Sequence, residues 1–105
     1  MALAAEPFSD AYRAFIATVR GKNPDAVVYC AIGPLLYATG LNNARSYINA
    51  LVTQLNDAGD KKVRVLDFGQ QNISAGSGCP YHPNTMEQER LADLFATELQ
   101  ADLGW

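Results

Sequence analysis

Long apolar runs are missing from this chain of 105 residues. No stretch approaches the ~20 residues of a membrane-spanning helix, so no membrane is expected among its partners. The opening MALAAEPFSD lacks a basic segment, and its apolar stretch is too short for a signal peptide. Positive charge is scarce: eight Lys and Arg stand against eleven Asp and Glu, and the basic residues are scattered. A nucleic-acid surface needs them clustered, so that partner class is excluded as well. Two cysteines, Cys30 and Cys79, are too few for a disulfide scaffold and lack zinc-ligand spacing. Nothing else calls for a metal or a cofactor. Histidine occurs once, as His82.

What is present is the composition of a folded domain. The chain is 49% hydrophobic and 18% charged, outside the disordered class, and its length allows one domain. A chain of this size buries roughly two thirds of its unfolded surface, enough for a modest core.

Three segments carry helical spacing. The first is expected from Asp10 to Arg20, with Ser9 as N-cap, a stripe of Tyr12, Phe15, Ile16 and Val19, and Gly21 as its stop. The second is expected from Ala44 to Ala58, capped by Asn42 or Asn43, with Tyr47, Ile48, Leu51, Val52 and Leu55 facing the core. Gly59 ends it. The third runs from Thr85 to Leu103. Asn84 precedes it and Glu87 follows three residues on, as in a capping box. Its stripe is Leu91, Leu94, Phe95, Leu99 and Leu103, and Gly104 closes it. Two segments read as strands, Ala26 to Ile32 and Val63 to Phe68. The first is apolar on both faces, as parallel strands covered by helices are. The order α-β-α-β-loop-α predicts a right-handed crossover and a parallel pair. Two strands leave two open edges and cannot cover three apolar stripes, so further strands are expected from a second copy or another polypeptide.

In such sheets ligands bind beyond the carboxyl ends of the strands. Two loops emerge there: Gly33 to Gly40, and the long stretch GQQNISAGSGCPYHPN from Gly69 to Asn84. Loops of that length in small domains are often functional. The second carries His82 two residues before the third helix, whose N-terminal dipole favours a neutral imidazole, the form a general base needs. The bland alternative is a loop histidine that only packs. No serine lies in a G-x-S-x-G elbow, and nothing marks Ser74 or Ser77 as activated. Gly76-Ser77-Gly78 lacks the Walker lysine and is read as flexible loop. Cys30 lies mid-strand and reads as buried and inert. A Cys30–Cys79 disulfide is open if the neighbouring strand ends bring the two together in an oxidising compartment. Asp67 reads as a strand-end hydrogen-bond acceptor. Tyr37, Tyr81 and Trp105 are candidates for stacking on sugar rings, against ordinary packing, which for Trp105 is a lid over the last helix end.

The segment GCPYHPNTMEQERLADLFATELQADLGW resembles the C-terminal block of SGNH (GDSL-type) hydrolases, most of all the carbohydrate esterases of the second family, which deacetylate xylan and related sugars. There a Gly-Cys-Asp-Trp/Tyr-His-Pro stretch delivers the catalytic histidine before the last helix. The matching residues are Gly78, Cys79, Tyr81, His82 and Pro83. The stretch AYRAFIATVRGKNPDAVVYCAIGPLL resembles the region after that family's Gly-x-Asn-Asp block. The likeness spans Phe8 to Trp105 and implies part of a three-layer, parallel-sheet (flavodoxin-like) α/β fold.

It also implies a function that this chain carries only in part. The family needs a Gly-Asp-Ser block for the nucleophile and a Gly-x-Asn-Asp block for the oxyanion hole, and neither occurs here. The sequence is therefore expected to be the C-terminal half of such an esterase, acting on acetylated polysaccharide with a complementary N-terminal chain and inactive alone. In it His82 is the catalytic residue, and Tyr81, Pro80 and Tyr37 contact substrate. The aspartate three before the histidine is missing, and Pro80 replaces its neighbour, leaving a backbone carbonyl to orient the ring. Such esterases are commonly exported, which implies an extracellular location. The competing expectation is a non-catalytic α/β module that self-associates or binds sugar.

Overall fold

The computed structural model describes residues 5–74 and 76–105. The elements are α1 (Ala5–Lys22), β1 (Val28–Ile32), α2 (Ala38–Asp57), β2 (Val63–Asp67) and α3 (Thr85–Leu103). The strands pair in parallel, with Val28 opposite Val63 and Ile32 opposite Asp67. Partners in a parallel ladder share a face. Cys30 and Ile32 with Val63 therefore turn toward α1 and α2, where they join Ile16, Leu41, Ile48, Leu51 and Val52 in the core. Tyr29, Ala31, Arg64 and Leu66 turn toward α3. The expected α/β layering is thus realised, with helices on both sides of the sheet.

Two helix starts differ from the sequence reading. α1 begins upstream of Ser9, with Pro7 in its first turn, where a missing N–H costs no hydrogen bond. Gly21 stays helical. The end is closed instead by Asn23, whose backbone N–H and side-chain amide both donate to the Val19 carbonyl, each at 3.0 Å. The packed stripe is Phe8, Tyr12 and Ile16, while Phe15 is 66% exposed. α2 starts at Ala38, before both asparagines, and Tyr37 stands at its N-cap without a side-chain cap bond. Tertiary packing overrides the cap signal: Leu41 in that first turn is buried in the core. α3 matches expectation at both ends, with Asn84 accepting from the Glu87 amide and Gly104 in the left-handed conformation. Its apolar stripe is only half covered, and Phe95 and Leu103 remain exposed. Trp105 is 78% exposed and covers nothing.

The amino-terminal edge of the sheet is locked by Arg20. Its guanidinium donates to both Asp60 carboxylate oxygens (2.9 and 3.2 Å) and to the carbonyls of Asn23, Ala26 and Lys62. One side chain thus joins the two links that enter the strands. The Arg20 hydrogen bond holds the Asp60 carboxyl below its ordinary 3.8, against burial, which pushes it up. A depressed carboxyl stabilises the fold above the unfolded value, and that contribution is lost as pH falls through the folded one. Asp60→Asn is expected to flatten the acid limb, read as a smaller difference in urea-unfolding stability between about pH 6 and about pH 3. An unchanged difference would assign acid sensitivity to other carboxylates.

α3 is clasped to the outer face by Asp102. It accepts from the Tyr29 hydroxyl at 2.7 Å and pairs with Arg64 at 3.5 Å. Phe95 meets the edges of Tyr29 and Phe68 at centroid distances of 5.9 and 6.4 Å. Among the described residues the sheet has two strands, so each has one unpaired edge. An apolar groove of about 560 Å³ stays open between α1, α2 and the end of β1, lined by Phe8, Tyr12, Leu36 and Tyr47 among others. No helix among the described residues is long and apolar enough to cross a membrane.

Candidate active site

Both loops expected at the carboxyl edge are found there, and hydrogen bonds join them. The Gln71 N–H, just past β2, donates at 2.9 Å to the Pro34 carbonyl, just past β1. Asp67 ends β2 as a structural acceptor. It takes the Gly69 N–H at 2.8 Å and the Arg45 guanidinium of α2 at 2.6 Å. Burial pushes its carboxyl up, but these partners outweigh burial and hold it below the ordinary value.

The histidine segment is anchored from several sides. Glu87, in the first turn of α3, is 5% exposed. Its carboxylate accepts from the Asn72 N–H at 2.5 Å and from Arg90. The expected reciprocal capping box is therefore half made: Asn84 caps, whereas Glu87 reaches across to the start of the long loop. Asn84 Nδ2 also donates to the Gly76 carbonyl at 3.1 Å. Cys79-Pro80 is a cis peptide, and Tyr81 takes a positive φ of 59°.

His82 is exposed, and its Nδ1 lies 3.1 Å from the Pro80 carbonyl oxygen. A carbonyl only accepts, so Nδ1 is the donor in this contact and Nε2 faces away from it. The ring is thus oriented by a backbone carbonyl. The segment's next carbonyls are held as well: Tyr81 by Gln71 Nε2, His82 by the Gly78 N–H at 2.6 Å, Pro83 by Gln88 Nε2 at 2.9 Å. Gln71 Oε1, on the far side of the amide, is buried and has no partner among the described residues. Such an orphan acceptor costs about 1–3 kcal/mol.

A side chain at Gly78 would be crowded. A Cβ there would stand 3.2 Å from the His82 oxygen and 3.4 Å from the Pro83 oxygen, both backbone atoms with little room to give. Gly78→Ala is expected to lower stability by about 1–3 kcal/mol through overpacking. A fall in the thermal midpoint checks this, and an unchanged midpoint would mean that the loop yields freely.

Pro80, Tyr81 and Tyr37 line one cleft of about 440 Å³ with Leu35, Ile73 and Gln71. Three of the sequence candidates thus meet, beside the residue that bears the imidazole. Cys30 and Cys79 do not. Both are free thiols, Cys30 buried and Cys79 exposed. The strand's alternation points Cys30 into the helical core, under Tyr12, whereas Cys79 sits in the loop past the strand end. This corrects the disulfide expectation. Burial pushes the Cys30 thiol up, which keeps it protonated and unreactive. Ser74 Oγ donates to Asn72 Oδ1 at 2.7 Å. No group of three or more His, Cys, Asp or Glu among the described residues is arranged to hold a metal ion.

Sequence reasoning missed Gln71 and the cross-loop role of Glu87. The Glu87 signal was its place three residues after a cap, read there as local. Gln71 had none, because one partner, Pro34, lies in the other loop and the second, Tyr81, ten residues on in its own.

No protein-family model matches the chain. The cellulase/esterase CelE of Acetivibrio thermocellus is 39% identical over 98 residues, which is 93% of this chain and 12% of that protein. A family two carbohydrate esterase from Clostridium thermocellum, solved in complex with cellohexaose, superposes with a TM-score of 0.95 at 36% identity. All of this chain is covered, and 32% of that one. A family two esterase from Corynascus thermopiles, solved with a carbohydrate-binding domain, gives 0.86 at 22% identity over the same shares, a likeness of fold. The chain thus spans about a third of the length of the solved chains it matches. In sequence and in fold the chain thus resembles part of an SGNH-type carbohydrate esterase of the second family.

Proposed function

We propose that this chain supplies the catalytic histidine of an ester hydrolase acting on O-acetylated carbohydrate of the acetylxylan type. In this reading the nucleophilic serine and the oxyanion hole come from outside these 105 residues. The observation that carries it is the His82 ring, exposed at the carboxyl edge with Nδ1 on the Pro80 carbonyl. Nε2 takes the serine proton as the hydroxyl attacks the acetyl carbonyl, gives it to the departing sugar oxygen to leave an acetyl-serine, then takes a proton from the water that cleaves that ester and returns it to the serine as acetate leaves. The Pro80 carbonyl fixes the ring and the tautomer but brings no negative charge, so the pair works as a serine–histidine dyad. Tyr37, Pro80 and Tyr81 form the wall on which the sugar lies. The open sheet edges and the apolar groove support a complementary chain. Kinship with carbohydrate esterases supports an extracellular setting.

The purified chain is expected not to hydrolyse nitrophenyl acetate above background. Hydrolysis by the chain alone, lost on His82→Ala, would overturn the claim that the nucleophile lies elsewhere. A second reading, sugar binding without catalysis, has the tyrosine-lined cleft in its favour. Titration with xylan oligomers tests it: saturable binding that vanishes in Tyr81→Ala, together with no activity in any reconstitution, would favour it over the esterase.

A further inference from the structure

The segment that carries the imidazole has four successive carbonyls, each with a donor: His82 Nδ1 for Pro80, Gln71 Nε2 for Tyr81, the Gly78 N–H for His82 and Gln88 Nε2 for Pro83. Three of those donors belong to the segment, to the loop directly before it or to the first turn of α3. They move with it. Gln71 alone reaches in from the sheet, because its own N–H is fixed on the Pro34 carbonyl past β1. The peptide it holds is also one that resists being held. Tyr81 stands in the left-handed region, unfavourable for a side chain of its size. We infer that Gln71 is the positioning residue of the histidine, its side-chain amide fixing the Tyr81 peptide and through it the direction of the His82 ring relative to the sheet edge.

The orphaned oxygen separates this from a plain loop clasp. The Tyr81 carbonyl accepts only, so the amide nitrogen must face it, and Oε1 is forced to the other side, buried and unpartnered. A leucine would occupy the same space without an unsatisfied acceptor. Stability alone does not account for a glutamine there, whereas the hydrogen bond to the residue before the histidine does. A local stability cost kept at a functional site is the usual mark of such a device.

The inference rests on reading His82 as the general base, but its test needs neither a partner nor ester hydrolysis. The full chain is labelled with nitrogen-15 and the His82 ring nitrogens are observed at alkaline pH, where the imidazole is neutral. The wild type is expected to hold the proton on Nδ1. Gln71→Leu is expected to move the population toward the Nε2–H form with a thermal midpoint equal or higher. Gln71→Glu, of the same shape but without the donor, should shift the tautomer the same way. An unchanged tautomer in both variants would overturn the inference. So would a lowered midpoint in Gln71→Leu with the ring unaffected, which is the signature of a clasp. In a reconstituted esterase Gln71→Leu should lower kcat about tenfold or more, by a larger factor than it changes KM. A tautomer shift in a chain that never yields activity would leave Gln71 in place and remove the esterase reading instead.

Discussion

Combining this chain with a polypeptide that carries the Gly-Asp-Ser and Gly-x-Asn-Asp blocks is expected to produce nitrophenyl acetate hydrolysis that neither shows alone. His82→Ala in the combined enzyme is expected to lower kcat/KM by about 10²–10⁴-fold, the range that a positioned general base contributes. The size follows from the geometry. Nδ1 is engaged by the Pro80 carbonyl at 3.1 Å, so the ring presents one free nitrogen in one direction. Without it the serine hydroxyl has no acceptor for its proton, and the oxyanion hole is left with a poor nucleophile to assist. Among the described residues the partner of the ring is the Pro80 carbonyl and not a carboxylate that could be deleted separately. Substitutions of exposed acids on α3 such as Glu89 or Asp93 should therefore leave the rate within a factor of two or three, as solvated surface groups do. A loss as large as that of His82→Ala from one of them would show that the ring has an acidic partner after all. Full activity in His82→Ala would remove the residue from the chemistry.

The histidine and its carbonyl were legible in the sequence for a local reason: Pro80, Tyr81 and His82 are adjacent, so a turn suffices to bring ring and carbonyl together. The third helix was legible because both its ends are set by neighbours in sequence, Asn84 and Gly104. The parallel pair followed from an apolar run and a short link. What failed depended on distant contacts. α2 begins at Ala38 because Leu41 is buried in the core, although two asparagines downstream offer better caps. The cysteine pairing failed because a run apolar on both faces does not say which face Cys30 takes. Gln71 was invisible for the same cause: its partners, Pro34 in the other loop and Tyr81 ten residues on in its own, meet it only in the fold.

Leu51→Ala is expected to bring the isolated chain close to unfolding. Leu51 is 1% exposed, on the face of α2 that covers the sheet. Truncating such a side chain costs about 2–5 kcal/mol, the transfer of the lost carbons plus the cavity left behind. Domains of this size have roughly 5–15 kcal/mol in total. A chain with a two-stranded sheet and a half-covered α3 belongs at the low end of that range. At about 4–8 °C per kcal/mol the thermal midpoint should fall by about 8–40 °C, read by circular dichroism. The comparison that gives the result meaning is Phe15→Ala. Helical spacing puts Phe15 in the same stripe as Ile16, yet it is 66% exposed while Ile16 is 3%. Its loss should stay within about 0.5 kcal/mol, as for surface positions without special contacts. Equal losses at Leu51 and Phe15 would mean that the core is not the one seen between α1, α2 and the sheet, and that the exposed stripe of α1 is packed in solution.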